Sequence, residues 1–177
     1  TMANMVGDEI IPTERTTPES FELQGLFAKM RDAGCTHVVM EVSSHAIALE
    51  RIGGVRFDAA AFTNLTEDHL DFHKTMEHYC ATKADLFRRS GCGVINADDS
   101  YAKEMMAAAT CPVLITSVAG NGDLTAKDLC LESDGITFTA CYQGEEVPVR
   151  LGIPGKFTVY NALTVLGIAL ELGISLK

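Results

Sequence analysis

The sequence predicts an α/β fold: a mostly parallel sheet flanked by helices, with an appended antiparallel β-meander. Three observations predict it. The short continuous apolar runs Val38-Val39-Met40 and Ala59-Ala60-Ala61-Phe62 read as strands covered on both faces. Helical patterns alternate with such runs through the first two thirds of the chain. From about Leu124 the pattern changes to alternating strands separated by turn residues.

Taken in order, Thr16-Thr17-Pro18-Glu19 predicts a helix start, with a threonine cap, proline in the first turn and a carboxylate near the positive end of the dipole. Phe21, Leu23, Leu26, Phe27 and Met30 supply its apolar side, and Ala33-Gly34 closes it before a strand over Thr36–Val42. Thr75 caps a helix carrying Tyr79, Leu86 and Phe87, which leads to a strand over Gly93–Asn96. A helix over Tyr101–Ala109 and a strand over Val113–Thr116 follow. The strands Leu124–Leu131, Ile136–Tyr142 and Glu146–Leu151 are separated by Ser133-Asp134-Gly135 and Gln143-Gly144-Glu145. Phe157–Leu172 makes a final amphipathic helix ended by Gly173. The expected organisation is one domain: an α/β core over 1–123, antiparallel strands over 124–156 and a closing helix over 157–177.

Over 177 residues, 47% hydrophobic and 21% charged content argues for one well-buried soluble unit. The longest apolar stretches are far too short to cross a bilayer, and no basic-then-apolar leader opens the chain, so no membrane partner and a cytoplasmic location are expected. Six cysteines lie without any C-x-x-C pair and read as reduced thiols. A formal charge of −10 repels polyanions, which argues against nucleic acid as a partner. A phosphate-bearing small substrate would therefore need metal ions or local positive groups.

The chemistry-bearing residues follow the two apolar runs: Met40-Glu41-Val42-Ser43-Ser44-His45, then Thr63-Asn64-Leu65-Thr66-Glu67-Asp68-His69-Leu70-Asp71-Phe72-His73, then Lys83. Ligands of open α/β sheets bind beyond the carboxyl ends of the strands, so both clusters are expected to face one site. A hard divalent cation such as Mg²⁺ wants oxygen ligands, which makes Glu41 a natural ligand and His69 an acceptable minority one. Lys83 lies four residues after Tyr79 and four before Phe87, on the apolar face of its helix, a costly place for an unpaired ammonium. It pairs with a carboxylate, snorkels to solvent, or is neutralised by desolvation, and a neutral amine can take up carbon dioxide as an anionic carbamate. The spacing of His69 and His73 also admits a zinc hydrolase. Ser43 and Ser44 lack a G-x-S-x-G elbow and read as hydroxyl donors to a ligand or to backbone.

These stretches, with Thr16-Thr17-Pro18-Glu19-Ser20, Ala81-Thr82-Lys83, Asn96-Ala97-Asp98-Asp99 and Pro154-Gly155-Lys156-Phe157-Thr158-Val159-Tyr160-Asn161, occur in an order that resembles the central domain of the Mur ligases, in the MurE type of that family. The resemblance implies an ATP-dependent amide-forming ligase of peptidoglycan synthesis. Such an enzyme phosphorylates UDP-N-acetylmuramoyl-L-alanyl-D-glutamate, and a diamino acid, meso-diaminopimelate or L-lysine, then attacks the acyl phosphate. By the same resemblance Glu41 and His69 hold magnesium, and Lys83, as a carbamate, helps place the γ-phosphate. Thr16, Thr17, Ser43, Ser44 and Arg51 contact the UDP-sugar peptide, and Asn64 and Asn161 the nucleotide. Thr158 stands where the family usually has asparagine, and Leu49 where some members have glutamine. The family's phosphate loop, G-x-x-G-K-[ST], occurs nowhere in these residues, nor does its C-terminal amino-acid-selecting domain. The chain is thus expected to be a middle portion that does not turn over alone. The rival from another class is a non-catalytic module that keeps the UDP-sugar-peptide contacts.

Overall fold

The computed structural model describes residues 3–176. They divide into two units, one ending at Val55 and the other beginning at Arg56, so the expected outer limits at 1 and 177 lie outside the described residues.

The first unit opens with a hairpin that the sequence reading did not include, β1 (Ala3–Val6) against β2 (Glu9–Pro12). Its signal was Gly7-Asp8, a two-residue turn dipeptide with Gly7 in the left-handed region at φ +59°. Helix α1 (Ser20–Asp32) follows, burying Leu23 and Leu26 and leaving Phe21 exposed. Lys29 of α1 reaches Glu9 of β2 at 2.6 Å. At its C-terminus Gly34 takes φ +81°, Cys35 N donates to Met30 O, and Gly34 N to Arg31 O, which satisfies the last carbonyls as expected.

Two expectations fail in this unit. The helix does not start on a threonine cap: Glu19 is the N-cap residue, without a side-chain cap bond, and Pro18 precedes it. The Thr17 hydroxyl is committed elsewhere, to Glu41 and Ser43. Nor is there a strand over Thr36–Val42: no described strand pairs with this segment, and Val39 is 97% exposed rather than covered on both faces. β-branched residues favour extended backbone, but a ladder needs a neighbouring chain to accept and donate its hydrogen bonds. The segment ends in a short helix α2 (Ser44–Ala48), whose N-cap is Ser43, its Oγ accepting from Ala46 N.

The second unit carries a six-stranded sheet in the order β3 (Phe57–Phe62), β4 (Ser90–Asn96), β5 (Val113–Ser117), β6 (Leu124–Glu132), β7 (Gly135–Tyr142) and β8 (Glu145–Leu151). The first three pairings are parallel and the last two antiparallel, so the predicted meander continues the parallel sheet through β6. Helices α3 (Leu70–His73), α4 (Met76–Ala84) and α5 (Ala102–Ala108) follow β3 and β4, and α6 (Phe157–Glu171) closes the unit. Thr75 caps α4 as expected, accepting from His78 N. The helix then tightens into a 3-10 turn over Asp85–Arg89, so Leu86 and Phe87 lie past its end.

Period-two alternation along β4 divides the core. Ile95 joins Phe62, Tyr79, Phe87 and Met105 on one face, whereas Val94 joins Leu114, Phe138, Val159 and Leu163 on the other. Gly93 makes the first face close: a Cβ there would stand 2.8 Å from the Phe87 ring.

Candidate active site

In the first unit the expected substrate residues gather around Thr17, which is 1% exposed. Its hydroxyl donates to the Glu41 carbonyl at 3.0 Å and accepts from Ser43 N at 3.1 Å, pinning the Thr16-Thr17 loop to the Glu41–Ser44 segment. The Arg51 guanidinium, 14% exposed, donates from Nη1 to the Thr17 carbonyl at 3.4 Å. Its Nε lies 3.1 Å from Glu19 Oε1, off the N–H direction, so this buried nitrogen has an ionic neighbour without a hydrogen bond. Ser44 is buried and Thr16 half-buried, while Glu41 is exposed.

In the second unit His69 and Lys83 meet on one ring, that of Tyr79. Lys83 Nζ lies over it at 5.7 Å from the centroid, and the His69 ring meets it edge-on at 5.9 Å. Desolvation lowers the Lys83 pKa, the third of the outcomes its place on the apolar face left open. His69 is the N-cap of α3 in the left-handed region at φ 56°, a conformation a non-glycine side chain adopts at a cost. Its Nδ1 lies 3.5 Å from Asp68 Oδ1. Glu41 belongs to the other unit and is described within it.

The geometry of His73 gives no support to a zinc pair with His69. It is 2% exposed and stacked on Tyr79 at 4.9 Å and 15°, with its Nδ1 at 3.3 Å from His78 Nδ1. Among the described residues no three His, Cys, Asp or Glu side chains gather to hold a metal ion. The donor chemistry fits a hard cation in a different way: an amine shifted toward neutrality, over the same ring that an imidazole meets edge-on, would become an oxygen donor once it carried a carboxyl group.

The loops that carry Asn64 are fixed from β4. Asp99 accepts from Leu65 N at 3.0 Å and Tyr101 N at 2.9 Å, and Asn96 donates to the Thr63 carbonyl at 2.8 Å. Asp98 holds the loop after β5 by accepting from Ser117 Oγ and from Val118 N. Asn64 and Asn161 are exposed, and Thr158 is buried, its hydroxyl directed to the Pro154 carbonyl at 3.5 Å. Tyr79 is the site residue that sequence reasoning missed, because an aromatic at helical spacing reads as core.

The model of the Mur ligase middle domain matches residues 1–169. The chain belongs to that family. A UDP-N-acetylmuramoyl-L-alanyl-D-glutamate–2,6-diaminopimelate ligase of Clostridium botulinum is 46% identical over 177 residues, covering 100% of this Mur ligase domain and 37% of that protein. The protein of that name from Caldanaerobacter subterraneus is 44% identical over 178 residues, with the same coverage. A solved structure of a ligase of this name superimposes with a TM-score of 0.91 at 29% identity, over 99% of this chain and 37% of that one. The MurF ligase of Thermotoga maritima in complex with ADP shares the fold, with a TM-score of 0.63 at 19% identity over 85% of this chain and 37% of that one. This Mur ligase chain therefore spans little more than a third of the relatives it matches. No described helix is long and apolar enough to cross a membrane.

Proposed function

We propose that this chain is the central portion of an ATP-dependent ligase that joins a diamino acid to UDP-N-acetylmuramoyl-L-alanyl-D-glutamate. The names of the relatives favour 2,6-diaminopimelate over lysine. The observation that carries the reading is the half-buried Lys83 amine, shifted toward neutrality and sharing the Tyr79 ring with His69.

A neutral Lys83 amine attacks the carbon of carbon dioxide with its lone pair. A C–N bond forms, one C=O pair moves onto oxygen, and water takes the nitrogen's proton, leaving a carbamate anion. That carbamate and His69 would hold magnesium, which when bound offsets the repulsion between the ATP phosphates and the substrate carboxylate, and the Glu41 carboxylate is an oxygen ligand of the kind such a cation takes. The substrate's glutamate carboxylate then attacks the γ-phosphorus, ADP departs, and the amine of the diamino acid displaces phosphate from the acyl phosphate. Arg51, whose planar fork suits an anionic group, and Thr17 orient the sugar-nucleotide peptide. Asn64 and Asn161 face the nucleotide. Holding the reactants in line supplies most of the catalysis, since phosphoryl transfer needs little covalent help.

Two measurements test this. Carbon-13 spectra of the chain in labelled bicarbonate are expected to contain a carbamate line that Lys83→Arg lacks. In the ligase that carries this chain, Lys83→Ala is expected to lower kcat for diaminopimelate-dependent phosphate release by about 100-fold or more. Phosphate release unchanged by Lys83→Ala would reject the assignment.

A further inference from the structure

The ring that His69 and Lys83 share is itself stacked on a second ring. His73 lies nearly parallel to Tyr79, at 4.9 Å and 15°, and is held in turn by the edge of Phe72 at 4.8 Å and by the contact of its Nδ1 with His78 Nδ1 at 3.3 Å. His73 comes from the end of α3 and Tyr79 from the first half of α4, so the stack joins two helices across the Lys74-Thr75 connection. At 2% exposure His73 is out of reach of a substrate. Stacked rings resist sliding and tilting because offset aromatic faces interdigitate, and this stack fixes the plane from which both reactive groups take their position.

We infer that Tyr79 is a positioning residue for both the Lys83 amine and the His69 imidazole, and that buried His73 acts through it as the backing of that platform. The inference rests on the proposed function only for what the two groups do once placed. The physical expectation is specific. Removing the Tyr79 ring takes away the surface that both groups meet, whereas removing the His73 ring leaves Tyr79 free to shift and so moves both groups together.

The test uses two pairs of variants in the full 177-residue chain, Tyr79→Leu with Tyr79→Phe and His73→Leu with His73→Phe. Each pair keeps apolar volume and differs in whether a ring remains. Two signals are read at one fixed pH in carbon dioxide-free buffer: the chemical shifts of the Lys83 ε-methylene protons and those of the His69 ring protons. In both leucine variants the Lys83 ε-methylene shifts and the His69 ring shifts are expected to change together, and in both phenylalanine variants the native values return. A residue that merely fills the core would not move both groups in step, nor be rescued by a ring alone. Native values in a folded His73→Leu chain, or failure of His73→Phe to restore them, would overturn the role of His73, and the Tyr79 pair decides alone if the His73 variants do not fold. The carbamate line of the wild-type chain is read separately, in labelled bicarbonate, from these carbon dioxide-free signals. Its absence with ring-dependent Lys83 and His69 would remove the proposed function and keep the platform, and the converse result would do the reverse.

Discussion

Lys83 concentrates the argument at the scale of single residues. Its position four residues from both Tyr79 and Phe87 put it on the apolar face of its helix but left a pairing, a snorkelling and a neutralised lysine open, and the structure supplies an amine with a lowered pKa. A lysine whose folded pKa lies below its unfolded value binds fewer protons folded than unfolded between those two values. Stability therefore rises with pH across that interval, up to the ordinary value of 10.5. Below the folded pKa the full cost of holding a desolvated ammonium applies, offset in part by the face of Tyr79. Lys83→Met, which keeps the stem and removes the charge, is expected to raise the thermal midpoint near neutral pH in carbon dioxide-free buffer and to flatten the rise with pH. Parallel melting curves for the two proteins across that range would show that burial of the amine carries no such cost. The partners of Lys83 were not legible in the same way. Tyr79 and His73 are aromatic groups on apolar faces, and nothing in their spacing separates a supporting ring from ordinary core.

At the scale of elements, the helix α6 makes the case for how closely sequence and packing agree. A glycine in mid-helix costs about 1 kcal/mol relative to alanine, yet Gly167 is where α6 approaches β4: a Cβ there would stand 2.8 Å from Val94 Cγ1 and 3.3 Å from Leu114 Cδ2. Gly167→Leu is expected to destabilise the second unit by about 1–3 kcal/mol through overpacking. Urea unfolding checks this as a lower midpoint at unchanged slope. The bounds of β6, β7, β8 and α6 fell within a residue or so of those read from the sequence, because period-two alternation and Gly-containing turns are local signals. Thr36–Val42 misled for a non-local reason: its composition suits a strand, but strand formation depends on a partner that composition does not reveal. Thr17 misled because its hydroxyl serves a contact 24 residues away instead of the neighbouring helix.

Across the molecule the same physics predicts a gradient of local stability. β4 lies between β3 and β5, with Val94 and Ile95 fully buried on opposite faces, so opening it requires breaking two ladders and both halves of the core. Residues 37–42 have no strand partner among the described residues and include the almost fully exposed Val39. Amide hydrogen exchange is therefore expected to be slowest at Val94 and Ile95 and fast across 37–40, with Ser43 N slower because it donates to Thr17 Oγ1. Dilution separates the remaining alternative. An apolar run without a strand partner is a template for pairing, so protection of 37–40 that appears only at high protein concentration would mean that copies of the chain pair through it. Protection equal to that of β4 at every concentration would contradict the absence of a strand there.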